Sequence, residues 1–115
     1  MNYNGRIFEP VSNSANGQVS GQTRFFYHQV GRVLWGTYKG GEIIAGTLTG
    51  LVHEDGTLEF HYQHIDTQHE LRLGKCRSVP EQGSNGELRL REKWQWLNGD
   101  QSQGESLLQE VLPID

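Results

Sequence analysis

Cysteine occurs once in these 115 residues, as Cys76, so no internal disulfide framework can hold the chain together. Apolar runs are short, and none approaches the roughly 20 residues that a membrane-spanning helix needs. Basic residues are outnumbered, 10 against 14 acidic, for a formal charge of −4. That balance argues against affinity drawn from phosphate neutralisation, and so against nucleic acid as a partner. Helical periodicity is almost absent. The opening Met1-Asn2-Tyr3-Asn4-Gly5-Arg6 has neither the basic start nor the apolar stretch of a signal peptide. With the lone cysteine, this predicts a cytoplasmic chain with no membrane partner.

What remains is a repeating pattern of strand-length runs and turn residues. The runs are Tyr3 to Val11, Gln22 to Gln29, Arg32 to Tyr38, Glu42 to His53, Thr57 to Ile65, His69 to Val79, Glu87 to Leu97 and Ser102 to Leu112. Between them lie turns such as Lys39-Gly40-Gly41, Glu54-Asp55-Gly56 and Asn98-Gly99-Asp100, and a longer loop from Pro80 to Gly86. These turns use residues that tolerate positive φ, as short hairpin connections require. Short connections force antiparallel neighbours. The expectation is a single all-β domain over residues 1–115, an antiparallel up-and-down meander of about eight strands. Closing the sheet removes its two exposed edges, which predicts a small barrel; a two-sheet sandwich is the alternative. Gly36, Gly46, Gly50, Gly74 and Gly104 fall inside the runs, where glycine marks a bulge or sharp bend.

Alternation fixes the faces of two strands. In the fifth run Leu58, Phe60, Tyr62 and His64 share one face, with Glu59, His61 and Gln63 on the other. In the seventh, Leu88, Leu90, Trp94 and Trp96 face inward, opposite Arg89, Arg91, Lys93 and Gln95. Glu92 breaks this second pattern, because its parity places a carboxylate on the apolar face. Such a group needs a partner or a raised pKa, and Arg77, Lys75, His64 and Tyr62 are the candidates. It is either a structural buried pair or the polar anchor of a ligand pocket. Trp35, Trp94 and Trp96 raise the same choice between barrel filling and pocket wall, since a barrel of about eight strands is wide enough to hold one small ligand.

No catalytic set emerges. His61 and His64 point to opposite faces of one strand, and His64 with His69 lacks a clear third ligand for zinc. Lys75 and Arg77 flank Cys76 but point away from it, so a mid-strand thiol reads as a small hydrophobe. There is no nucleophile elbow, phosphate loop or dinucleotide fingerprint. No metal or cofactor is expected.

The blocks Asn4-Gly-Arg-Ile-Phe, Gly50-Leu-Val-His-Glu-Asp-Gly, Glu92-Lys-Trp-Gln-Trp and Gly99-Asp-Gln-Ser-Gln-Gly resemble a family of small uncharacterised bacterial proteins. Members of that family often carry the label N-acetylglutamate synthase. The resemblance implies acetyl transfer from acetyl-coenzyme A to glutamate. The residues lack the matching loop: Gln29-Val-Gly-Arg has the wrong spacing and sits in a hairpin turn rather than before a helix. The meander is also similar to the calycin barrels, namely lipocalins, fatty-acid binders and avidins. The expected function is non-enzymatic binding of a small, partly apolar ligand. Trp35, Phe60, Tyr62, Trp94 and Trp96 form the walls, and Glu92 with Arg77 or His64 orients the polar end. The alternatives are a filled barrel serving as a structural or interaction module, such as a homodimer through an edge or the Trp-rich surface, and the labelled acetyltransferase.

Overall fold

A computed structural model describes residues 1–112. Its strands are β1 (Ile7–Asn13), β2 (Arg24–Val30), β3 (Val33–Gly40), β4 (Ile43–Val52), β5 (Leu58–Asp66), β6 (Leu71–Gln82), β7 (Leu88–Trp96) and β8 (Gln103–Glu110). Each pairs antiparallel with its sequence neighbours, and β1 pairs with β8 to close the barrel. Closure decides for the barrel over the sandwich. Gly56 and Gly86 hold positive φ of 88° and 81° in their turns, the conformation that made glycine informative there.

Two segments depart from the sequence expectation. Residues 3 to 6 are not strand. They fold across the barrel end formed by the β2–β3, β4–β5 and β6–β7 turns, where Tyr3 is fully buried and its hydroxyl donates to the Gly56 carbonyl. Pro80 lies inside β6 rather than in a loop. The β5 ladder ends at the Leu58–Ser78 pair, whereas β7 continues beside β6 as far as Gln82. Proline therefore occupies an overhang whose β5 side is open, where a missing N–H breaks no bond on that side.

The five mid-strand glycines share one arrangement. Each lies directly opposite an inward aromatic on the next strand: Gly36 opposite Tyr27, Gly46 opposite Tyr38, Gly50 opposite Phe60, Gly74 opposite Tyr62, and Gly104 opposite Trp94. At Gly46, Gly74 and Gly104 a Cβ would overlap the facing ring itself. These three glycines thus let large rings lie flat against the barrel wall, so aromatics line the lumen without filling it. The Tyr3 end, by contrast, is packed solid with Phe8, Leu34, Leu58, Leu90 and Leu108, all fully buried.

Candidate ligand site in the barrel lumen

At the other end of the barrel a cavity of about 50 Å³ remains. Its walls are Phe25, Tyr38, Phe60, Tyr62, Trp94 and Trp96, with Leu48 between them. These side chains belong to β2, β3, β4, β5 and β7 and reach the lumen through period-2 alternation. Phe25 and Tyr38 stack at 5.1 Å and 23°, whereas Tyr62 and Trp96 lie 5.8 Å apart at 68° and Trp94 and Trp96 lie 5.6 Å apart at 59°. These are favourable quadrupole geometries.

One side of the cavity carries Glu92, which is 7% exposed. Its carboxyl accepts hydrogen bonds from Ser78 Oγ at 2.8 Å and Ser106 Oγ at 3.1 Å. Both serines sit directly across from it in the β6 and β8 registers. Burial pushes the Glu92 pKa up, and the hydrogen bonds from Ser78, Ser106 and the Cys76 thiol oppose that rise. Cys76 is itself raised well above the ordinary thiol range by burial, so it is a neutral thiol rather than a nucleophile.

The mouth is covered by the loop between β1 and β2. Gln18 reaches in from that loop: its Nε2 donates to Asp66 Oδ2 at 3.0 Å, leaving its amide oxygen to accept from His64 Nε2 at 2.6 Å. His64 is therefore the Nε2–H tautomer, and its Nδ1 accepts from the Tyr38 hydroxyl at 2.8 Å. Trp96 Nε1 fastens the same loop by donating to the Asn16 carbonyl at 3.1 Å. The Gln18 amide and the Glu70 and Gln68 backbone N–H groups hold the Asp66 carboxyl below the usual range. Burial, helped by Arg72, pushes His64 down to about 4. A neutral folded His64 stabilises the protein above pH 6.5, and that contribution is lost as pH falls toward 4. His64→Gln is thus expected to lose stability at pH 7, with its deficit against the wild type narrowing between pH 6.5 and 4. Parallel thermal melts check this, and a deficit constant with pH would contradict it.

Of the site residues expected from sequence, Phe60, Tyr62, His64, Glu92, Trp94 and Trp96 come together around this one cavity. Trp35 and Arg77 do not. On β3 the inward parity belongs to Leu34, Gly36 and Tyr38, so Trp35 faces outward, 41% exposed and stacked on His28 at 5.6 Å. Arg77 is also on the outer face, where it pairs with Glu59 at 2.8 Å. Lys75 is exposed as well, so the partners of Glu92 are neutral groups, chiefly two serine hydroxyls, and not a cation. Phe25, Tyr38, Gln18, Ser78 and Ser106 were missed. The alternation of Cys76 and Ser78 in β6 was the one available signal for the serines.

A family model described as avidin-like protein matches residues 1–111. The chain belongs to the avidin-like family. No curated protein and no solved structure matches it. The closed eight-strand barrel is what that family implies, and the lumen of this avidin-like barrel is where its sequence concentrates aromatics and buried polar groups. Among the described residues, no group of three His, Cys, Asp or Glu side chains is placed to hold a metal, and no helix is long and apolar enough to cross a membrane.

Proposed function

We propose that this avidin-like chain is a non-enzymatic binding protein whose lumen takes one small, partly apolar molecule. The observation that carries the reading is an aromatic box with a buried carboxyl on one side and a polar, loop-borne clasp over its mouth. A small barrel of this kind is suited to holding a single ligand. The Tyr38, Tyr62, Trp94 and Trp96 rings supply contact area, and Glu92, Cys76 and His64 supply polar points. At about 50 Å³ the cavity has room for about one or two waters at liquid density. A ligand of more than a few heavy atoms enters only if Gln18 and its loop give way. The Gln18–His64 and Trp96–Asn16 bonds are then the gate.

Acetyl transfer fits poorly. The described residues contain no helix whose N-terminus would hold a pyrophosphate, and the lumen has no space for a coenzyme.

Native mass spectrometry of the protein as purified, compared with the denatured chain, tests the reading. A discrete added mass lost on denaturation is expected, or one acquired on incubation with a small-molecule panel that includes biotin, the ligand of streptavidin. A bare chain under every condition would overturn it.

A second reading is favoured by one observation outside the barrel. Trp35 is exposed beside Val33, which pairs with Leu51, both also exposed. This exposed apolar patch suits a homodimer, whose test is sedimentation of the wild type against Trp35→Glu.

A further inference from the structure

Glu92 is the one acidic side chain on the cavity wall, and among the described residues no Lys, Arg or His makes an ion pair or hydrogen bond with it. Its hydrogen-bond donors, the Ser78 and Ser106 hydroxyls and the Cys76 thiol, are all uncharged. Leucine or glutamine would fill the same position in a merely packed lumen without the cost of burying an ionisable carboxyl. Beside it stand Trp94, Trp96, Tyr62 and Phe60, rings whose faces carry negative potential. Trp96 already receives a cation in this way: the Arg72 guanidinium lies 4.0 Å from its ring centroid. Arg72 does not line the cavity. An aromatic box closed by one carboxylate and lacking its own counter-charge is complementary to a positive ligand and repels an anion.

We infer that the lumen selects a small organic cation, an alkylammonium of a few carbons, with its charge against Glu92 and its alkyl groups against the aromatic walls. This rests on the lumen being the binding site. The ammonium takes the place of the missing counter-ion, and the serine hydroxyls of Ser78 and Ser106 keep the carboxylate oriented toward it. The other titratable groups near Glu92 are Tyr27 of β2, Tyr62 of β5 and Cys76 of β6. Burial raises all three, so they stay neutral at physiological pH, and the charge of the lumen is the one that Glu92 gains on giving up its proton.

The test compares isobutylammonium with isobutanol, which are nearly equal in shape, by calorimetric titration at pH 8. Wild type is expected to bind the ammonium at least tenfold more tightly than the alcohol. In Glu92→Gln that preference should fall below threefold. Tetramethylammonium does not titrate, so its affinity for the wild type should rise with pH as Glu92 gives up its proton. Equal binding of ammonium and alcohol would overturn the cation inference and leave the lumen site standing. A preference that persists in a folded Glu92→Gln variant, or an affinity for tetramethylammonium flat with pH, would overturn it too. If neither isobutylammonium nor isobutanol binds, the lumen reading falls, and this inference with it.

Discussion

Glu92→Gln is expected to melt higher than the wild type at pH 8, by about 2 kcal/mol or roughly 5–10 °C in a domain of this size, and at the same temperature near pH 4. Burial raises the folded-state pKa of Glu92, so the folded protein holds that proton more tightly than the unfolded chain does. The stability this provides is complete below the unfolded value of 4.5 and is lost as pH rises through the folded value. Glutamine keeps the shape, accepts from one of Ser78 and Ser106 through its amide oxygen and donates to the other hydroxyl through its NH2, but it has no charge to desolvate. The gap between the two proteins should therefore open with pH and then level off. A wild type more stable than the variant at pH 8 would mean that the carboxylate has a counter-charge in the free protein. Stability given up at such a position is what a ligand site requires and a structural core does not.

Gly74→Ala should cost about 2–3 kcal/mol, the scale of an overpacked core. The Cβ it adds falls on the Tyr62 ring, which lies flat across Gly74. The strand cannot retreat, because β6 is bonded on both sides to β5 and β7. Tyr62 must swing into the lumen instead, so ligand uptake should fall together with stability. Replacing Tyr62 by leucine as well should recover at least half of the alanine penalty, since the ring that clashes is gone. Chemical denaturation of the two single variants and the double variant gives the coupling directly. Additive losses would show that the ring and the glycine do not share the space.

The closed barrel was legible because strand-length runs recur eight times with turn chemistry between them, and because β5 and β7 alternate cleanly. The same alternation placed Phe60, Tyr62, His64, Trp94 and Trp96 inside, and it exposed Glu92 as the misfit. Trp35 was misplaced because β2 and β3 carry large side chains on both parities: Phe25 beside Phe26, Leu34 beside Trp35. Composition cannot choose a face there, and only the glycine at position 36, opposite Tyr27, reveals which is inward. The serines around Glu92 were hidden for a different reason. A strand's partners across the sheet are set by register, and register depends on turn lengths that a sequence gives only to within a residue or two. Gln18 and Tyr3 were beyond reach, since both lie outside the strands and act through contacts 46 and 53 residues distant in the chain.

The three indole N–H protons give the most direct measurement. Trp94 and Trp96 line the lumen and Trp35 is outside it, so their nitrogen–proton resonances report separately on the two surfaces. On titration with isobutylammonium or isobutanol, the lumen reading requires the Trp94 and Trp96 signals to move saturably while Trp35 stays in place. Movement of Trp35 alone, or no movement with either probe, would contradict a binding site inside the barrel.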